Sequence, residues 1–219
     1  MVAPTTEPFR DESDPRVRGF LDHPVSPAAD GLVLTHGAGA NCQSPLLIAV
    51  ARGLAENGMT VLRFDLPFRQ MRPHGPPGPG SAARDRGGLR HAVAAMRKIV
   101  PGRIFLGGHS YGGRQASILA AEDGSVAAAL LLLSYPLHPP RRPEQLRTAH
   151  FPQLRVPSLF VQGTHDEFAS VEEISSALAL IPARTELSVI DGAGHSLAAR
   201  SELAAVAASI ATAFRGFIA

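Results

Sequence analysis

Short apolar runs alternate along the chain with longer Ala-rich or amphipathic stretches. The runs are Gly31–Thr35, Thr60–Phe64, Arg103–Leu106, Val126–Leu133, Pro157–Val161 and Glu186–Ile190. Each is continuous rather than alternating, the pattern of parallel strands covered on both faces. The stretches between them, Pro45–Glu56, Ala83–Ile99, Tyr111–Ala121, Val171–Leu180 and Leu197–Phe217, have helical length. In one of them Val171, Ile174, Ala177 and Leu178 share a helical face, and Glu172 and Glu173 suit the positive end of the helix dipole. This rhythm predicts βαβ units, and so an α/β fold with a mostly parallel central sheet flanked by helices on both faces. A weaker pattern predicts an early strand at Val17–Leu21. Residues 1–14, mixing Pro, Thr and acidic side chains, are expected to be a flexible segment. Met71–Ser81 is dense in proline and glycine and reads as a loop, either a plain connector or a rim over a site.

One junction carries chemistry. The run Ile104–Leu106 leads into Gly108-His109-Ser110-Tyr111-Gly112, with the spacing G-x-S-x-G between a strand and a helix. A serine hydroxyl is a weak nucleophile and must be lifted clear of the sheet toward a base. A tight turn does this, and its close backbone contacts require glycine at the flanks. The helix that follows aims free N–H groups at developing negative charge. His109 is not the expected base, because neighbours on a sharp turn point apart; a packing or hydrogen-bonding role is expected.

The partners of such a serine belong after later strands. Pro157–Gln162 is followed by Gly163-Thr164-His165-Asp166, and Leu187–Ile190 by Asp191-Gly192-Ala193-Gly194-His195. The order Ser110, Asp166, His195 makes His195 the expected base and Asp166 the acid that orients it. Asp191 is the rival acid, on the wrong strand for that role. After the first run comes His36-Gly37-Ala38-Gly39-Ala40, so the backbone N–H groups of Ala38 and Tyr111 are the candidate oxyanion donors. His36 reads as a buried, hydrogen-bonded turn residue.

Composition narrows the function. The length of 219 residues suits a single domain, with 45% hydrophobic and 18% charged residues, as in globular proteins. The net charge is +2, Lys98 is the only lysine, and the arginines are scattered, so nucleic acid is not an expected partner. The most apolar stretch, Val126–Leu133, is too short to span a bilayer, and no secretory signal is visible, so no membrane partner is expected. Cys42, the only cysteine, permits no internal disulfide and suits a reducing, cytoplasmic setting. His138, His150 and His165 lack metal-ligand spacing, so neither a metal nor another cofactor is expected.

With these residues in hand, the chain resembles the α/β-hydrolase superfamily over nearly its whole length. More narrowly it is similar to the small, cap-poor branch near dienelactone hydrolases, which includes the testis-expressed hydrolase-like proteins and bacterial relatives. The cues are HGAGA at 36–40, VLRFDLPF at 61–68, GGHSYGGR at 107–114, SYPLHPPRRPEQLRT at 134–148 and LFVQGTHDEF at 159–168. The resemblance implies an α/β-hydrolase fold, with Pro136–Val156 too short to form a cap domain. Dienelactone hydrolases use a cysteine nucleophile where this chain has Ser110, so their substrate is not carried over. The expected partner is a small ester-like molecule in an open groove, with Phe68, Arg69, Arg114, Tyr135, His138 and Phe168 as substrate-binding candidates. The expected activity is hydrolysis of a carboxylic ester or thioester through an acyl-enzyme. The alternatives are a catalytically silent interaction module of the same fold and an acyltransferase.

Overall fold

The computed structural model describes residues 3–199 and 201–219. Met1 and Val2 of the segment 1–14, and Arg200 of the expected helix Leu197–Phe217, lie outside the described residues. Eight strands form one sheet: β1 (Thr5–Asp11), β2 (Val17–His23), β3 (Gly31–Thr35), β4 (Thr60–Phe64), β5 (Ile104–His109), β6 (Leu130–Leu133), β7 (Ser158–Gly163) and β8 (Thr185–Ile190). Six helices accompany them: α1 (Pro45–Glu56), α2 (Pro67–Met71), α3 (Ser81–Met96), α4 (Tyr111–Glu122), α5 (Val171–Leu178) and α6 (Leu203–Ile218). The spatial order is β1-β2-β4-β3-β5-β6-β7-β8. Strands β4 to β8 in that order are parallel, with β3 between β4 and β5, while β1 and β2 run antiparallel at one edge.

The helices divide between two faces, each with its own core. Leu47, Val50 and Leu54 of α1 pack with Ile210, Phe214 and Phe217 of α6 on one face. Leu89 and Met96 of α3, Leu119 of α4 and Ile174 of α5 fill the other. The central strands β3, β4, β6 and β7 are buried along their whole length, as continuous apolar runs require. The last run differs: β8 is an edge strand, partly open to solvent along its length.

Four boundaries differ from the sequence reading. Thr5–Asp11 is a strand rather than a flexible segment, paired residue for residue with β2. It shows no apolar alternation because its order comes from backbone pairing at a mostly exposed edge. Val126–Ala129 leads into β6 as irregular chain, with Val126, Ala127 and Ala129 buried. The last helix begins at Leu203, after turns at Leu197 and Glu202. Pro67–Met71 is a short helix, and its proline stands at the start, where a missing N–H costs nothing.

Between β6 and β7 the chain folds no cap domain; it carries only a single 3-10 turn at Phe151–Gln153. No helix among the described residues is long and apolar enough to cross a membrane.

Candidate functional site

Ser110 stands between β5 and α4 at φ 51° and ψ −117°, in the left-handed half of backbone space that costs a non-glycine residue about 1–3 kcal/mol. The turn is held at both ends: Ser110 N–H donates to the Leu133 carbonyl (2.8 Å) and its own carbonyl accepts from Arg114 N–H (2.9 Å). The flanking glycines are needed for space. A Cβ at Gly108 would meet the Gly112 and Gly113 backbone at 2.7 Å, and one at Gly112 would meet the His36 carbonyl oxygen at 2.5 Å.

His195 lies beyond β8 and Asp166 beyond β7, both past the carboxyl ends of their strands, as is Ser110. The Ser110 hydroxyl donates to His195 Nε2 at 2.8 Å. On the far side of the ring, Nδ1–H donates to Asp166 Oδ2 (2.8 Å) and Oδ1 (2.9 Å). The buried Asp166 carboxylate also accepts from Phe168 N–H (2.9 Å) and Gln162 Nε2 (2.8 Å). The Phe168 ring stacks on the imidazole of His195 with centroids 4.1 Å apart, which fixes the ring plane. Asp191 is exposed, and its contact is with Thr164 Oγ1 at 3.4 Å.

His109 takes the hydrogen-bonding role: its Nε2–H donates to the His195 carbonyl at 2.8 Å. Burial, and the neighbouring His195, push its imidazole down to about 4, so it is a neutral strut for the His195 backbone. His36 is fully buried, donating from Nδ1 to the Gly37 carbonyl (2.9 Å) and accepting Leu66 N–H at Nε2 (3.1 Å). Burial lowers its pKa as well. Among the described residues, the N–H groups of Ala38 and Tyr111 donate to no protein group. Cys42 is buried, and burial with the nearby Asp65 raises its thiol to about 12, so it is not a reactive thiolate.

The expected substrate-binding side chains separate sharply. Arg69 is buried, and its guanidinium donates to the carbonyls of Ala38 (2.7 Å), Ala40 (2.8 Å), Gly75 (2.9 Å) and Arg72 (3.1 Å). It ties the turn after β3 to the Pro/Gly loop and uses four of its five N–H donors in doing so. Phe68 is buried beneath the site, edge-on to Tyr111 with centroids 5.6 Å apart. Tyr135 is wholly buried against Phe151 and Phe160, with its hydroxyl donating to the Arg147 carbonyl (2.9 Å). His138 is buried between the Pro139 carbonyl (2.8 Å) and Glu173 (3.3 Å). These four are structural, because their polar atoms are already spent or their rings lie in the core. Phe168 touches His195, and the buried Nε of Arg114 has no hydrogen-bond partner.

Two contributors lie outside the sequence reading. Asp85 is fully buried, accepting Phe68 N–H at 3.0 Å and the Tyr111 hydroxyl at 2.7 Å, so it locks α2 to the start of α4. Its burial raises its pKa. The signal was present: Asp85 falls in phase with Leu89, Ala92 and Met96, the buried stripe of α3. Gln162 likewise is a polar residue inside an apolar strand, four places before the acid.

A cavity of about 400 Å³ opens beside His109, with Ala40, Leu46, Ala198 and Leu203 as its apolar walls. A larger one of about 540 Å³, at the β1–β2 turn and α2, holds none of Ser110, Asp166 or His195.

Residues 28–218 match the family described as "Alpha/beta hydrolase domain", and the chain belongs to that family. Among solved structures it is similar to an alpha-beta serine hydrolase homologue from Coxiella burnetii, with 18% identity and a TM-score of 0.78 over 94% of this chain and 96% of that one. It is also similar to the dienelactone hydrolase from Anabaena variabilis, at 22% identity and a TM-score of 0.73 over 98% of this chain and 99% of that one. A third similar structure is a serine hydrolase without lid from Xanthomonas campestris, at 17% identity and a TM-score of 0.71 over 99% and 95% of the two chains. At these identities the likeness establishes the fold.

Proposed function

We propose that this protein is a serine hydrolase that cleaves a carboxylic ester or thioester through an acyl-enzyme on Ser110. The observation that carries this reading is the unbroken hydrogen-bonded line from Ser110 Oγ through His195 to the buried Asp166, each link at 2.8–2.9 Å. In the first half-reaction His195 Nε2 takes the hydroxyl proton as Oγ bonds to the acyl carbon. The oxyanion so formed lies within reach of the unbonded N–H groups of Ala38 and Tyr111. Collapse breaks the bond to the leaving oxygen or sulfur, which receives the proton from His195. Water then attacks the acyl carbon, giving a proton to the same nitrogen, which passes it to Ser110 Oγ as the acyl–oxygen bond breaks and the acid leaves. Asp166 holds the Nδ1–H tautomer and stabilises the imidazolium in both halves. The cavity beside His109 offers room for an apolar part of the substrate.

A fluorophosphonate probe and a series of 4-nitrophenyl esters test this reading. Labelling should occur at Ser110, and Ser110→Ala should lower ester turnover on the order of 10⁴-fold or more. Folded protein that neither labels nor turns over short esters overturns it. If Asp191→Asn disables the protein while Asp166→Asn does not, the acid is Asp191.

A further inference from the structure

Arginines that are not exposed report where this fold needs positive charge. Among the described residues there are five: Arg63, Arg69, Arg86, Arg114 and Arg147. Three have acceptor partners within the protein. Arg63 makes a two-pronged ion pair with Asp22, and Arg69 binds four carbonyls. Arg86 pairs with Glu122 at 3.1 Å and with Gln115 at 3.1 Å. The remaining two, Arg114 and Arg147, both lie beside Tyr135 and have no carboxylate within ion-pair distance among the described residues.

The Arg114 Nε is buried with no hydrogen-bond partner, and the guanidinium lies beside the Tyr135 hydroxyl rather than a carboxylate. Arg147 makes a single long bond to the Pro136 carbonyl at 3.3 Å, while its backbone is pinned by the Tyr135 hydroxyl. The third neighbour, His150, is hydrogen-bonded to Ser117 (2.8 Å), whose hydroxyl also reaches the Arg114 carbonyl (2.9 Å). Burial, then the charge of Arg114, holds His150 down at about 4, so the histidine adds no positive charge near neutral pH. Burial, then Arg114, also lowers the pKa of Arg147. Two like charges held close and half-buried repel each other, and an anion between them would relieve both. A guanidinium fork presents paired N–H donors that match a carboxylate.

The position relates this cluster to the reaction. Arg114 is one turn into α4, four residues and about 6 Å of helix rise beyond Ser110. Arg147 and His150 come from the segment that takes the place of a cap. We propose that Arg114 and Arg147 form a subsite for a carboxylate carried by the substrate, so that the ester cleaved at Ser110 is one of an acid bearing a second, ionised carboxyl group. This rests on the serine-hydrolase reading and adds the substrate class to it.

The test compares mono-4-nitrophenyl glutarate with its methyl ester, which differs in charge, and adds direct binding of glutarate by calorimetry. The wild-type protein should favour the anionic ester in kcat/KM by about tenfold to a hundredfold, the range of a charge-assisted hydrogen-bonded pair. Arg114→Gln and Arg147→Gln should each pull that ratio toward one and weaken glutarate binding about tenfold or more. Arg142→Gln, at an exposed arginine of the same segment, should keep the preference. Using both arginine variants keeps the test open if one fails to fold. Protein that labels with fluorophosphonate but shows no preference for the anionic ester overturns the subsite and keeps the hydrolase. Protein that fails to label overturns the hydrolase reading, and glutarate binding then decides the anion site alone. Saturable binding lost in Arg114→Gln supports it, and no binding overturns it.

Discussion

The two sides of Ser110 are built on opposite principles. On the side of the turn after β3, the buried His36, Arg69 and Asp85 are each hydrogen-bonded to neighbouring protein groups. His36 is bonded through both ring nitrogens, Arg69 through four carbonyls, and Asp85 through Phe68 N–H and the Tyr111 hydroxyl. On the side of residues 134–150, the buried Arg114 Nε has no partner and the Arg147 guanidinium has one long bond. A buried polar group costs free energy unless it is paired, so the first side is a finished scaffold. The second carries a debt of unpaired donors that a ligand can settle. The difference separates arginines that build the site from arginines that await something in it.

The contrast can be broken most forcefully at Arg69. Arg69→Met should strand the Ala38 and Ala40 carbonyls and destabilise the fold by about 3–5 kcal/mol, read from the urea midpoint. Loss of ester turnover should accompany it, since the same turn carries the Ala38 N–H. A destabilisation below about 1 kcal/mol would mean the turn is held by other contacts.

An intermediate effect comes from pH. His36 on one side and His150 on the other are both held neutral, with His150 at about 4. The unfolded chain binds these protons near pH 6.5, so it holds more of them than the folded chain as pH falls below that value. Stability present above about pH 6.5 should therefore be lost progressively toward pH 4, with a slope up to about 1.4 kcal/mol per pH unit for each histidine. A urea midpoint that stays flat from pH 7 to 5 would contradict this. NMR titration sharpens the comparison: Arg114→Gln should raise the pKa of His150 and leave that of His36 in place.

The smallest effect is expected at Arg114 itself. Arg114→Met removes an unpaired buried Nε and a like charge beside Arg147, at the cost of the contact with the Tyr135 hydroxyl, so stability should change by about 0.5 kcal/mol or less. A loss matching that of Arg69→Met would erase the distinction between the two sides.

Much of this was legible in the residues. The six apolar runs correspond to β3 through β8, and the G-x-S-x-G turn with its two later loops places Ser110, Asp166 and His195 in chain order. Those features are local: a run of buried residues or a glycine forced by a tight turn leaves its mark within a few positions. The misreadings share a different origin. β1 is a strand through pairing with β2, which leaves no periodicity to see. Tyr135 and His138 looked like pocket residues because a polar tip in a loop gives no sign of which carbonyl it will meet.

The strand-and-helix rhythm, the nucleophile turn and the order of its partners follow from the chain alone, because short-range sterics and burial dictate them. Which arginine is spent and which is left over was decided only when distant segments met. Arg69 finds Ala38 across 31 positions, and Tyr111 finds Asp85 across 26. The two arginines are chemically identical in the sequence, and they differ in the folded protein because one is surrounded by carbonyl oxygens and the other by another positive charge.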